Sequence, residues 1–154
     1  MLTFHTKVEH AHQVDSELVL SFELREKSTL QAKLASGEDV TIMTDDGTTL
    51  RNGDLLKGDD GRVLRILAAK ESTYRVECDT HCDLLRCAFH LGSKRTQVHI
   101  GSIGEYCYLR IRPDPALKDM LEKLGATVID EHAAFEPELC GPCIEGNADD
   151  RRRH

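Results

Sequence analysis

The period of the hydrophobic pattern changes once along this chain, near residues 70–76, and that change limits the folds open to it. Before it, LVLSFEL at 18–24 alternates apolar and polar residues as a half-buried strand does, and STLQAKL and EDVTIM repeat the alternation around a Gly turn. DDG at 45–47, RNGD at 51–54 and DDGR at 59–62 then punctuate short apolar segments such as RVLRILAA. Turn signals this close together predict a small antiparallel β domain, sandwich or barrel-like, over residues 1–74.

After the change, Cys82, Leu85 and Phe89, and in parallel Leu84, Ala88 and Leu91, fall at helical spacings, with Asp79 or Thr80 as N-cap and Gly92 as the stop. Two strands follow, TQVHI and YCYLRIR. A second helix over DPALKDMLEKLG has Asp114 as N-cap, Pro115 in its first turn and Gly125 at its end. TVID is the last strand. With YRVEC in front, the order is βαββαβ, a ferredoxin-like split motif assigned to residues 75–145, and residues 146–154 are expected to form a flexible tail. The fold class is therefore α+β.

The core of either half must be aliphatic, since the chain has no Trp and aromatics are 5% of 154 residues. A formal charge of −7, from 20 Lys+Arg against 27 Asp+Glu, argues against nucleic acid or an anionic membrane as partner, with Arg151-Arg152-Arg153 a local exception. No apolar run approaches a membrane span, and MLTFHTKVEHAHQVDS lacks the basic-then-apolar order of a signal peptide. The expected location is cytoplasmic. Six cysteines in that compartment read as thiols or metal ligands, not as a disulfide framework.

The most specific cysteine signal is the pair Cys140 and Cys143 in LCGPC. The tetrapeptide looks like the thioredoxin active site, whose chemistry needs a following helix N-terminus to lower the thiol pKa. Here IEGNADDRRRH follows, with no such helix, so metal ligation is favoured over redox exchange. A dithiol without function stays open beside it. No GxSxG, Walker loop, GxGxxG or HExxH is present, and a non-enzyme is expected.

Several ordered segments, VLSFELREKSTLQAKLASGEDV, GTTLRNGDLL, DGRVLRILAAKE, CAFHLGSKRTQVHIG, DPALKDMLEKLGATV and AFEPELCG, resemble the urease accessory protein UreE family from about residue 17 to 141. The resemblance implies a homodimeric nickel metallochaperone that binds Ni²⁺ at the dimer interface and passes it toward urease, with urease and other urease accessory proteins as partners. In that family the segment matching HLGSKR usually reads HLGNRH, and its last His binds metal at the interface. Here that position is Arg95, and a guanidinium has no lone pair to give a metal.

Replacement ligands are therefore sought elsewhere. Two copies of Cys140 and Cys143 across a two-fold axis would supply four thiolates, which suit Zn²⁺ and Cu⁺ as well as Ni²⁺. On a strand over TQVHI, positions 95, 97 and 99 share a face, which directs His99 to the same interface. His132, read as a loop residue, and His154 complete the candidate set. Cys78, His81 and Cys82 have ligand types at helical spacing, but Cys78 is expected to end a strand. Cys82 and Cys87 are expected to pack as small apolar residues, Cys107 to sit in a strand between two Tyr, and His5, His10 and His12 to be exposed. Two alternatives remain: a docking scaffold in urease maturation that has lost its metal site, and a thiol-based Zn²⁺ or Cu⁺ binder.

Overall fold

The computed structural model describes residues 1–138. The chain divides into two compact units, Met1–Lys70 and a second that begins at Glu71.

The first unit is one curled six-stranded sheet. Strands β1 (Leu2–Val8), β2 (Ser16–Leu20), β3 (Thr29–Lys33), β4 (Asp39–Met43), β5 (Leu55–Gly58) and β6 (Val63–Ala68) lie in the order β2-β6-β5-β1-β4-β3. The sheet is mixed where turn signals alone predicted antiparallel pairing. The neighbours β3/β4, β1/β5 and β5/β6 are antiparallel, but β1/β4 and β2/β6 run parallel. Two local features account for the difference. The N-terminal segment LTFHTKV is an interior strand, β1, which buries Phe4 while His5 stays exposed, as do His10 and His12. In addition, LVLSFEL is not one strand: Ser21 ends β2 and caps a single helical turn, α1 (Phe22–Arg25), accepting the Leu24 N–H at 3.4 Å.

That turn carries Phe22 and Arg25 inward. Arg25 is fully buried, and its guanidinium donates to the carbonyls of Leu20 and Leu50 at 3.1 Å each and lies 5.5 Å from the centre of the Phe22 ring. The apolar core around it is built by alternate residues of the sheet, including Val40, Ile42, Leu56, Leu64 and Ile66, with Leu50 from the intervening loop.

The second unit has the ferredoxin-like order. Strand β7 (Lys70–Glu77), helix α2 (His81–Ser93), β8 (His99–Ile103), β9 (Tyr106–Ile111), helix α3 (Pro115–Lys123) and β10 (Thr127–Ala134) give a sheet ordered β10-β7-β9-β8. Val76, Leu109 and Ile111 from the sheet pack with Cys87 and Leu91 of α2 and Leu121 of α3. Of the two helical stripes on α2, the one through Leu84, Cys87, Ala88 and Leu91 faces this core. The other, through Cys82, Leu85 and Phe89, faces solvent, so Cys82 does not pack as an apolar residue. Gly101 on β8 lies directly under its cross-strand partner Tyr108, whose ring fills the space a Cβ would need.

Both helices are closed by side-chain caps at their starts and by the same backbone motif at their ends. Thr80 caps α2 through the Asp83 N–H at 3.1 Å, and Asp114 caps α3 through the N–H groups of Ala116 and Leu117. At the end of α3, Ala126 N–H reaches the Leu121 carbonyl and Gly125 N–H the Glu122 carbonyl, with Gly125 at φ 95°. At the end of α2, Thr96 N–H reaches the Leu91 carbonyl and Arg95 N–H the Gly92 carbonyl. This is the same paired closure, with a left-handed residue after the C-cap. Gly92 is therefore inside α2, and the left-handed place is taken by Arg95 at φ 57°.

Candidate metal centre

Arg95 thus stands at the exposed end of α2, in a turn fixed by two backbone hydrogen bonds. Strand β8 begins only at His99, so positions 95, 97 and 99 do not share a strand face as the alternation of TQVHI implied. The cause is the helix end: residues 94–96 are spent on closing α2 before the chain can become extended.

His99 is half-buried, on the sheet face opposite the helices, beside its cross-strand partner Arg110. Its Nδ1 accepts the backbone N–H of Glu136 at 2.9 Å, and its ring lies 6.5 Å from the Phe135 ring centre. With the Nδ1 lone pair used in this way, the neutral ring carries its proton on Nε2. Ligating histidines show the reverse arrangement, with the second nitrogen donating to a carbonyl or carboxylate. While the Glu136 bond is kept, neither nitrogen of His99 can bind a metal ion. Its observed role is to hold the chain that leaves β10.

That chain is well anchored. Phe135 is buried, with the Arg112 guanidinium 5.6 Å from its ring centre, and Glu138 N–H donates to the Val98 carbonyl at 2.8 Å. From Glu136 at His99 to Glu138 at Val98, the segment runs backwards along the chain ahead of β8, toward the turn that holds Arg95. Cys140, Cys143 and His154 lie outside the described residues.

His132 is exposed and belongs to β10, not to a loop. Its neighbour Glu131 takes the guanidinium of Arg75 at 2.8 Å on one carboxylate oxygen and that of Arg110 at 3.0 Å on the other. Strand alternation therefore puts His132 on the face away from Arg110 and His99. The structure does not bring His99 and His132 together.

The remaining thiols divide by environment. Cys78, just past the end of β7, and the fully buried Cys87 place their sulfurs 3.8 Å apart. Burial pushes the Cys78 thiol up to about 12, with the Cys87 contact and the negative charges of Asp83 and Asp79 acting in the same direction. Burial also raises Cys87. Cys107 is on β9, half-buried between Tyr106 and Tyr108. Among the described residues, no three His, Cys, Asp or Glu side chains gather closely enough to hold a metal ion, and no helix is long and apolar enough to cross a membrane.

The chain is a curled β unit followed by a ferredoxin-like unit, with a cysteine pair beyond the last strand in the sequence. The chain belongs to the UreE urease accessory protein family: the model of that family's N-terminal domain matches residues 3–69 and that of its C-terminal domain residues 71–154. A protein from Janthinobacterium sp. (strain Marseille) named urease accessory protein UreE is 58% identical over 138 residues, covering 90% of this chain and 79% of the relative. One of the same name from Nitrosospira multiformis is 55% identical over 90% of this chain and 76% of its own length. A third, from Pseudomonas savastanoi pv. phaseolicola, is 40% identical over 90% of this chain and 81% of its own. The family is one of accessory proteins and not of enzymes.

Two features of the site escaped the sequence reading. The Phe135–Glu138 strap has no periodic pattern to announce it, and its bond to His99 is made by a backbone N–H that any residue but proline supplies. The solvent-facing stripe of Leu85 and Phe89 was visible as a stripe, but spacing alone does not say which of two stripes is buried.

Proposed function

We propose that the protein is a cytoplasmic urease-maturation metallochaperone, a homodimer that carries Ni²⁺ on the thiolates of Cys140 and Cys143 and delivers it to the urease assembly machinery. One observation carries this reading: the chain entering the cysteine pair is anchored at Glu138 to Val98 and directed toward the turn of Arg95. Arg95 stands where the resemblance expects the family's metal-binding His. In this reading a thiolate of the cysteine pair replaces the imidazole that Arg95 lacks.

The dimer is supported by the exposed stripe of α2, where Leu85 and Phe89 stand one turn apart at 68% and 69% exposure, large for apolar side chains on a helix. Pairing this stripe with its symmetry copy would cover both. His154 is the further ligand candidate near the chain end. His99 is assigned to holding the strap, and His132 is left out because it projects from the other face of the sheet.

A cargo site must also release its metal. A site with few protein ligands suits transfer better than a closed four-ligand site. Equilibrium dialysis of the dimer against Ni²⁺, Zn²⁺ and Cu⁺, repeated with Cys140→Ala/Cys143→Ala, tests the proposal. Loss of bound Ni²⁺ in the double variant supports it. Ni²⁺ bound equally by both forms overturns the tail assignment, and no Ni²⁺ bound by either leaves the family scaffold with its metal site lost.

A further inference from the structure

The contact between Cys78 and Cys87 is not used by that function. Its geometry can be compared with what metal ions require. With a metal–sulfur bond of about 2.3 Å, two thiolates on neighbouring corners of a tetrahedron are about 3.8 Å apart, and at right angles, as in square-planar or octahedral fields, about 3.3 Å apart. The observed separation is 3.8 Å. This is the contact of a thiol–thiol hydrogen bond, and its length matches the tetrahedral edge more closely than the right-angled one.

The surroundings select the charge of the ion. The pair is largely dry: Cys87 is fully buried and Cys78 is half-buried. A net charge is costly in such a place. In Zn²⁺ + 2 RSH → Zn(SR)₂ + 2 H⁺, one divalent ion replaces two thiol protons and the local charge is unchanged. A monovalent ion bound by both thiolates would leave a net negative charge beside Asp79 and Asp83, whose fields already disfavour thiolate at Cys78.

An approach exists as well. A cavity of about 60 Å³, lined by Cys78, Asp79, His81, Glu105, Tyr106 and Cys107, opens on the Cys78 side of the pair, room for an ion to arrive with a water molecule, while Cys87 lies behind it. Two sulfurs leave two tetrahedral corners to water or to a donor from this cavity, and such an open site exchanges its ion readily.

We propose that Cys78 and Cys87 form a second metal site, separate from the Cys140 and Cys143 pair, that takes a tetrahedral d¹⁰ divalent cation, Zn²⁺, through two thiolates and two open positions. The site goes beyond the nickel-carrier reading and does not depend on it. It would allow the protein to bind Zn²⁺ without occupying the nickel ligands.

The test uses the full reduced chain with Cys140→Ser/Cys143→Ser, so that the tail thiols do not contribute. Cd²⁺, a spectroscopic stand-in for Zn²⁺, should give an ultraviolet sulfur-to-metal charge-transfer band that saturates at one ion per chain and is lost on adding Cys78→Ser. Because Cys87→Ser alters the core, the second readout leaves this pair intact: alkylation by iodoacetamide followed by peptide mapping. Zn²⁺ should slow modification of Cys78 at least about tenfold, an apparent stabilisation of about 1.4 kcal/mol, while Ni²⁺ at equal concentration should not. Equal Cys78 alkylation with and without Zn²⁺ overturns the site. Protection by Cu⁺ but not Zn²⁺ overturns the assignment of a divalent ion. Neither readout involves the tail, so failure of the nickel proposal leaves this result unaffected.

Discussion

Arg95 permits the sharpest test of the local structure, because the protein contains its own control. The ends of α2 and α3 carry the same two backbone bonds, and their left-handed residues are Arg95 at φ 57° and Gly125 at φ 95°. A side chain at positive φ costs about 1 kcal/mol, since Cβ crowds the following carbonyl, whereas Gly bears no such cost. Arg95→Gly should therefore stabilise each chain by about 0.5 kcal/mol once the larger backbone entropy of unfolded Gly is subtracted, roughly a twofold rise in the folded-to-unfolded ratio. Gly125→Ala should destabilise by a similar amount. Arg95→His should be neutral within about 0.5 kcal/mol, because His enters the left-handed region more readily than most residues. The same substitution puts an imidazole where the family resemblance expects one, so Ni²⁺ affinity should rise. Urea denaturation at one fixed protein concentration, with Ni²⁺ calorimetry on the His variant, reads both effects. A destabilised Arg95→Gly protein would refute the account of the turn. Unchanged Ni²⁺ binding by Arg95→His would separate position 95 from the metal site.

Other perturbations follow from single contacts. Arg25→Ala removes a fully buried guanidinium and its bonds to Leu20 and Leu50, and should cost about 3 kcal/mol or more in urea unfolding; a loss below about 1 kcal/mol would show that the cavity refills. Because Cys78 titrates near 12 in the folded chain against an ordinary 9.0, the unfolded chain loses its proton first. Stability is then intact below about pH 9 and declines as pH rises toward 12; Cys78→Ser should lessen that alkaline decline, and an unchanged profile would contradict it. Phe89→Asp should weaken the proposed dimer by about 100-fold or more in sedimentation experiments, and unaltered association would move the interface away from α2.

The elements with unambiguous caps were legible in the sequence. Asp114, Pro115 and Gly125 delimit α3 because each has one structural use at its position, and the βαββαβ order followed from elements of this kind. The first unit was legible as β, but its pairing was not: LTFHTKV was not read as a strand and becomes one between β4 and β5, and Ser21 interrupts an alternation that looks continuous from Leu18 to Leu24. The end of α2 was misplaced by three residues because Gly92 carries the usual stop signal while Arg95, a poor left-handed residue, takes the position. That error also gave His99 the wrong companions. Its occupation by Glu136 depends on a contact between residues 37 apart in sequence, which no local pattern encodes.

The central claim is that thiolates of the Cys140 and Cys143 pair, and not an imidazole at position 95, hold the nickel cargo. X-ray absorption at the nickel edge, on the protein loaded with Ni²⁺, tests it most directly. The account predicts sulfur scatterers in the first coordination shell that disappear in Cys140→Ala/Cys143→Ala. A shell of nitrogen and oxygen alone in the unaltered protein would contradict it.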